Sequence, residues 1–228
     1  MIEVLIQPLF GLIISISFGL FFWWLKGHHK FRWINPLLFS VVSIILVLQI
    51  TQIPYEVYKK GADIIHLFLG PITVILAVPL YEHRYELLKH KVAIFSGTIL
   101  GSFSALSAVY IIGSGFGLSE LFIHSLMPKS TTTPIGISAS LMLEGILGLT
   151  VFSIVITGIF GSLVSPIIFK LLKIKTDMAK GIALGTTSHA IGTAKAYEIS
   201  PLCGAMSGLS IALAGIVSIV WILLYTFL

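Results

Sequence analysis

Charged residues are scarce in this chain: they make up 10% of its 228 residues, whereas apolar residues make up 57%. A mean hydropathy of +1.05 excludes an ordinary soluble domain. The single cysteine, Cys203, excludes an internal disulfide, and the sequence has no Cys/His spacing typical of a metal site. We therefore predict no metal or other cofactor. The composition indicates an all-α polytopic membrane protein.

Acidic residues and catalytic motifs are missing where a cation pump or an enzyme would need them. No Asp or Glu lies near the middle of a long apolar run, so the sequence does not indicate a carboxylate cation site. It contains no phosphate-binding loop, nucleophile elbow or zinc-protease motif. No candidate nucleophile is paired with a base. We predict that the protein is not an enzyme.

The basic residues are grouped rather than scattered. Ten of the fourteen Lys and Arg residues form three short clusters between apolar runs. The clusters are Lys26, Lys30 and Arg32; Arg84, Lys89 and Lys91; and Lys170, Lys173, Lys175 and Lys180. Because short cytoplasmic loops carry excess Lys and Arg, all three clusters are predicted to lie in the cytoplasm. The pI near 9.3 then reflects membrane orientation and contact with anionic lipid headgroups, and we predict no nucleic-acid binding.

Apolar runs of about 20 residues, long enough to cross a bilayer, recur along the chain. The predicted spans are residues 4–25, 34–53, 62–81, 92–113, 146–169, 181–197 and 203–227. With the basic clusters inside, seven crossings place the N-terminus outside and the C-terminus in the cytoplasm.

The spans group into four predicted segments. They are a peripheral N-terminal helix (1–33), a three-helix repeat (34–113), an outer loop with a re-entrant or half-membrane segment (114–145), and a second repeat (146–228). Each repeat holds an odd number of spans, so the second is inverted relative to the first. Inverted repeats are common in secondary transporters.

The middle helix of each predicted repeat carries residues that interrupt helices. Gly70 and Pro71 lie at the centre of one, and Gly185 and Gly192 bracket a polar stretch in the other. Proline removes a helical hydrogen bond, and glycine has weak helix propensity. Irregular backbone at membrane depth survives only where it is buried in protein or lines a cavity. Paired interruptions of this kind predict a binding site near the bilayer midplane.

Two polar strings supply the candidate ligands for such a site. The candidate substrate-binding residues are Lys129, Ser130, Thr132, Thr133, Thr186, Thr187, Ser188, His189 and Thr193. Thr133 is predicted to cap a helix that begins at Pro134. Free amides and hydroxyls at that helix start, with Lys129 nearby, would favour an anion. The alternative is an ordinary capped helix that enters the membrane from an outer loop.

His189 is the one ionisable residue predicted near the centre of a span. Ionisable groups are costly inside a membrane and are therefore functional candidates. Its imidazole could bind a carboxylate or carry a coupled proton, because its ordinary pKa lies near neutrality. The alternative is a neutral histidine whose hydrogen bonds are satisfied by Thr186 or Thr193.

These residues resemble the CidB/LrgB family, the larger partner in bacterial holin-like/antiholin-like pairs. The resemblance covers roughly residues 35–228. It rests on Leu69-Gly70-Pro71, Ala77-Val78-Pro79-Leu80-Tyr81, Pro128-Lys129-Ser130 with Thr132-Thr133-Pro134, Leu149-Thr150, Thr157-Gly158-Ile159-Phe160-Gly161 and the stretch from Gly181 to Thr193. The stretch from Ile137 to Leu147 departs from the glycine-rich sequence typical of the family.

The resemblance implies two functions. One is transport of small monocarboxylates such as pyruvate, glycolate or glycerate across the bacterial plasma membrane. The other is antiholin-like control of murein hydrolases and autolysis. It also implies a small holin-like membrane partner of the CidA/LrgA type, and a second copy of the chain is a further candidate partner. The interrupted helices, buried hydroxyls and intramembrane histidine favour transport, because a lytic pore needs no such site.

Overall fold

A computed structural model describes residues 9–28, 34, 36–68, 71, 77–82 and 84–226, and these are predominantly helical, with no strand among them. The all-α prediction is confirmed. The chain divides into two compact units, Met1–Ile75 and Leu76–Leu228. The boundary falls inside the predicted first repeat. The division into two units neither supports nor contradicts the four predicted segments, which remain a prediction.

The first unit contains α1 (Phe10–Lys26), α2 (Pro36–Thr51) and α3 (Tyr55–His66). Helix α1 packs against the other two. Gly11 lies directly against the backbone of Tyr58 in α3, where a side chain would not fit. The hydroxyls of Ser15 and Tyr58 are 2.9 Å apart, which adds a hydrogen bond to that contact.

The predicted span 62–81 is covered only in part. Helix α3 starts well before it and carries several charged residues, so it is amphipathic rather than uniformly apolar. The next described helix, α4, is Ala77–Glu82, and α5 follows at Arg84–Lys89. Gly70 and residues 72–76 lie outside the described residues, so the predicted interruption at Gly70 and Pro71 stays a prediction.

The second unit is built on α6 (Lys91–Gly115), α9 (Leu147–Leu171) and α11 (Pro201–Thr226). Each is long and apolar enough to cross a membrane, and among the described residues no other helix meets both conditions. Their bounds agree with three predicted spans. These three helices support three of the seven predicted crossings, and the full count remains a prediction.

The remaining predicted span of this unit, 181–197, is wrong as a single crossing. It lies within α10 (Asp177–Ile199), which leaves the helical conformation at His189 and reverses direction there. In a straight helix, Leu184 and Gly192 would be about 12 Å apart along the axis. Instead, a Cβ on Gly192 would lie 2.5 Å from the Leu184 carbonyl oxygen. Residues 177–199 therefore form a helical hairpin, which we call the basic-end hairpin.

Contacts at the open end of this hairpin join its first and last residues. The Ser200 hydroxyl and the Lys180 ammonium group both hydrogen-bond the carboxylate of Asp177, and together they hold its pKa below the ordinary value. The Lys180 Nζ to Asp177 Oδ1 distance is 3.1 Å. Leu184, Ala196 and Cys203 share one buried cluster with Phe169 of α9. A reversed chain explains these contacts, because Asp177 and Ser200 would otherwise lie at opposite ends of a long helix.

A second hairpin comprises α7 (Glu120–Leu126), the 3₁₀ turn Met127–Ser130 and α8 (Thr133–Met142). The ring nitrogen Nδ1 of His124 lies 2.8 Å from the carbonyl oxygen of Leu143, which joins the two arms. The Ser125 hydroxyl accepts a hydrogen bond of 2.7 Å from the amide of Ile146. The segment thus returns to the end from which it started. We call residues 120–142 the acidic-end hairpin, after Glu120 and the nearby Glu144.

The two hairpins enter the second unit from opposite ends. Helices α6 and α11 run in the same direction, since the hydroxyls of Thr98 and Ser210 lie 3.4 Å apart and Tyr110 stacks edge-on against Tyr225. The starts of α6 and α11 and the end of α9 form the basic end. The opposite, acidic end holds the end of α6 and the start of α9.

This arrangement changes the predicted topology. The basic clusters around Lys91 and Lys175 lie at the same end of the unit, in keeping with the charge rule. Because 177–199 returns to that end, α11 carries the chain to the opposite end. The prediction that the C-terminus lies on the same side as the clusters around Lys91 and Lys175 is therefore wrong, since it assumed that 181–197 crosses the membrane.

Candidate functional site

The tips of both hairpins meet the middle of α9 near Ile154. His189, at the tip of the basic-end hairpin, places its ring nitrogen Nε2 3.0 Å from the Ile154 carbonyl oxygen. Gly136, in the first turns of α8, lies directly against the Ile154 side chain. The 3₁₀ turn of the acidic-end hairpin packs against both α9 and the basic-end hairpin. The structure thus brings the two polar strings of the sequence together.

His189 adopts a conformation that L-residues rarely use, with φ 40° and ψ −133°. Such a conformation costs free energy and persists only where the surrounding structure holds it in place. The residue is buried, at 4% exposure, and the Thr193 hydroxyl donates a hydrogen bond of 3.0 Å to its carbonyl oxygen. Packing on α9 and this bond hold the reversal between Gly185 and Gly192, where the sequence predicts an interruption.

Two glycines of α9 make room for this tip. A Cβ on Gly158 would lie 2.7 Å from Cε1 of the His189 ring, closer than real contacts allow. A Cβ on Gly161 would collide with the hydroxyl of Ser188. The close approach of the tip to the helix therefore depends on both glycines. Gly148, in the first turn of the same helix, has open space around it.

The hydroxyl groups of the basic-end tip differ in whether they are free to form a hydrogen bond with a ligand. Thr187 is exposed, and its hydroxyl donates to the Ala183 carbonyl oxygen and lies 3.1 Å from that of Ser188. The Thr193 hydroxyl lies 2.7 Å from that of Ser207 and is fully engaged in holding α10 to α11. The Thr186 hydroxyl is buried and has no hydrogen-bond partner among the described residues. Thr193 thus has a structural position, whereas Thr186 to Ser188 retain acceptor or donor capacity.

Lys129 is the cation of the acidic-end tip. Its ammonium nitrogen lies 3.3 Å from the hydroxyl of Ser130, and both residues are at least partly buried. No carboxylate in the described part of the chain forms an ion pair with it. A sheltered ammonium group without an acidic neighbour is stabilised by an anion.

The start of α8 differs by one residue from the prediction. Thr132, not Thr133, is the N-cap, and its side chain makes no capping hydrogen bond. The Thr131 hydroxyl is turned away, to the Pro128 carbonyl oxygen 2.8 Å from it. The predicted cap at Thr133 is therefore wrong, because Thr133 already has helical geometry. The first amides of α8 are left without a side-chain acceptor, which suits an anion.

Several residues at the site were not predicted to belong to it, although Gly158 and Gly161 are part of a motif that carries the family resemblance. They are Ile154, Gly158 and Gly161 of α9 and Ser207 of α11. The glycines could have been found from their position in an otherwise bulky apolar helix. Ile154 could not, because it contributes only a backbone carbonyl group.

Comparison with known proteins identifies the family. A family model described as the LrgB-like family matches residues 15–227. The chain is 31% identical over 218 residues to the antiholin-like protein LrgB of Bacillus subtilis (strain 168), covering 95% of this chain and 94% of that protein. It is 30% identical over 214 residues to the antiholin-like protein LrgB of Bacillus mycoides (strain KBAB4), with 93% of each chain covered.

A third relative is the uncharacterized protein YxaC of Bacillus subtilis (strain 168), 33% identical over 207 residues, with 90% of each chain covered. No solved structure matches the chain. The family match extends over nearly the whole chain and includes both hairpins, so the resemblance seen in the sequence is confirmed. This bacterial membrane protein belongs to the LrgB-like family.

Proposed function

We propose that the protein transports small monocarboxylates of the pyruvate, glycolate or glycerate class, and that the two hairpin tips bind the substrate. The observation that carries this proposal is the meeting of two helical hairpins from opposite ends at Ile154. Broken helices that meet near the midplane are typical of substrate sites in secondary transporters.

The chemistry of the tips favours an anion. Lys129 has no acidic partner among the described residues, and the first amides of α8 have no side-chain cap. A carboxylate would accept hydrogen bonds from both. Ser130, Thr132 and Thr133 lie on this side, and Thr187 and Ser188 lie on the opposite tip. Their hydroxyls suit the hydroxyl or keto oxygen of a small 2-hydroxy or 2-oxo acid.

Uptake of labelled pyruvate and glycolate into proteoliposomes tests the proposal. The experiment compares vesicles that hold this protein alone with vesicles that also hold a small holin-like membrane protein. We propose that such a protein is the partner of this chain in transport. Saturable uptake, competed by the unlabelled acids but not by a neutral analogue such as glycerol, is expected. Folded protein without saturable uptake in either vesicle would contradict transport.

The relatives named antiholin-like protein LrgB favour a second candidate function, which is control of a holin-like pore by an antiholin-like protein. In this function the chain would bind a small holin-like membrane protein and restrain it. Dye leakage from vesicles that hold the partner alone, compared with vesicles that hold both proteins, tests this candidate. Reduced leakage in the presence of this chain is expected. Unchanged leakage would contradict it.

We also infer that the basic end faces the cytoplasm, because Lys and Arg accumulate in cytoplasmic loops. The acidic-end hairpin then enters from outside and the basic-end hairpin from inside. A substrate held between their tips could be released to either side by movement of one hairpin at a time.

A further inference from the structure

A cavity lies at the acidic end of the second unit, apart from the hairpin tips. It is partly open and has a volume of about 1000 Å³ between α6, α7, the end of α8 and α11. That volume is at the upper end of the range typical of pockets for drug-sized ligands, about 300–1,000 Å³. The residues that decide its chemistry are Tyr110, Glu120, His124, Glu144, Trp221 and Tyr225.

The aromatic residues form a connected wall. The rings of Tyr110 and Tyr225 meet edge to face with centroids 5.7 Å apart, and the rings of His124 and Tyr225 do the same at 5.7 Å. Trp221 is fixed by a similar contact with Phe103 at 4.5 Å. Aromatic faces carry partial negative charge and attract organic cations.

The hydrogen bonds of His124 determine which polar atoms remain available to a ligand. Its Nδ1 faces the Leu143 carbonyl oxygen at 2.8 Å, and a carbonyl can only accept, so Nδ1 carries a proton. In the neutral ring, Nε2 then accepts from the Tyr225 hydroxyl 3.2 Å away. The Tyr225 proton is thereby used, and its oxygen presents lone pairs to the cavity. This part of the wall accepts hydrogen bonds rather than donating them.

The charged groups have the same sign. Glu120 and Glu144 line the cavity, and no Lys or Arg occurs among the described residues that line it. Neither glutamate has an ion-pair partner in the described part of the chain. An apolar, aromatic cavity with two carboxylates, and with no Lys or Arg among its described lining residues, is complementary to a bulky cation.

We propose that this cavity binds lipophilic organic cations, such as quaternary ammonium or phosphonium compounds. The site is separate from the anion site at the hairpin tips and does not depend on the proposed transport. It lies at the end of the second unit opposite the clusters around Lys91 and Lys175.

A pair of nearly isosteric ions tests the proposal. Tetraphenylphosphonium and tetraphenylborate have almost the same shape and opposite charge. Binding of each to the purified protein in detergent is measured by equilibrium dialysis against protein-free micelles. Saturable binding of the phosphonium ion but not of the borate is expected. Equal affinity for the two ions, or no saturable phosphonium binding, would overturn the proposal.

Substitutions assign the binding to this cavity. Glu120→Gln combined with Glu144→Gln should weaken phosphonium binding by about tenfold or more, because two attractive charges are lost. Tyr110→Leu should weaken binding and Tyr110→Phe should preserve it, since only the first removes the aromatic face. Glu198→Gln, at the basic end of the same unit, is the control and should leave the affinity unchanged. Full phosphonium affinity in the folded double glutamine variant would contradict the assignment.

Discussion

The ring nitrogen Nε2 of His189 lies 3.0 Å from the backbone carbonyl oxygen of Ile154. Because a carbonyl oxygen can only accept, Nε2 carries a proton and donates it in this contact. Only Nδ1 remains to bind substrate or to exchange a proton. The alternative drawn from the sequence was that Thr186 or Thr193 hydrogen-bonds the imidazole, and neither does so. The Thr193 hydroxyl bonds the His189 backbone instead.

This contact separates two substitutions of His189. Gln can still donate an amide hydrogen to the Ile154 carbonyl oxygen, but it cannot titrate, whereas Ala loses both properties. We expect His189→Gln to remain folded and to transport slowly, without the pH dependence that a titrating imidazole would give. His189→Ala should also lower stability by about 1 kcal/mol. A Gln variant with the wild-type rate and pH profile would give His189 a packing role only.

Gly161 should tolerate a side chain poorly, because a Cβ there would collide with the Ser188 hydroxyl and lie 3.2 Å from the Ser188 Cβ. Gly161→Ala is expected to displace the basic-end tip and to destabilise the protein by about 1–3 kcal/mol, a typical cost of overpacking. Gly148→Ala is the matched control in the same helix, since nothing lies within 4 Å of its position. Thermal unfolding and uptake are measured for both. Equal effects of the two variants would contradict the tip contact.

Lys129 should contribute to substrate affinity through its charge. We expect Lys129→Gln to raise the KM for the carboxylate by about tenfold or more, in line with the strength of a hydrogen bond to a charged group. Lys195→Gln is the control, because Lys195 is already paired with Glu198 at 2.7 Å. Uptake kinetics at several substrate concentrations distinguish a change in KM from a change in maximal rate. An unchanged KM in the Lys129 variant would remove this residue from the substrate site.

The basic-end hairpin predicts that residues 175 and 198 lie on one side of the membrane and residue 118 on the other. Lys175→Cys, Glu198→Cys and Leu118→Cys test this with an impermeant maleimide in intact and permeabilised cells. The native Cys203 is buried and should give little background labelling. With the basic end inside, only the variant at position 118 should react in intact cells. Labelling at position 198 but not at position 175 in intact cells would contradict the hairpin and indicate that residues 177–199 cross the membrane once.

Asp177 should make stability depend on pH. Its pKa lies below the ordinary value of 3.8 because of the hydrogen bonds from Ser200 and Lys180. A lowered folded-state pKa stabilises the protein above about pH 4, and the contribution is lost as the pH falls through the folded-state value. Asp177→Asn should therefore lower the unfolding temperature at about pH 7, with a smaller difference from wild type near pH 3. A difference that does not change with pH would contradict this role.

Much of the architecture was predictable because it depends on local composition. Three long helices, α6, α9 and α11, follow from uninterrupted apolar runs of the length that a bilayer requires. The interruption between Gly185 and Gly192 follows from weak helix formers at membrane depth. Lys129 and the hydroxyl strings were visible for the same reason: polar residues stand out where nearly every neighbour is apolar.

The sequence by itself determined the membrane class, the long helices, the family and the polar strings, since each can be recognised from composition or from the order of residues along the chain. Only the tertiary structure decided that 177–199 turns back at His189 rather than crossing, because a helix of 23 residues is long enough to span and the turn depends on contacts with α9 and α11. It also decided that both tips meet at Ile154. That meeting depends on a backbone carbonyl group and on glycines that contribute only space, and neither leaves a chemical signature in a sequence.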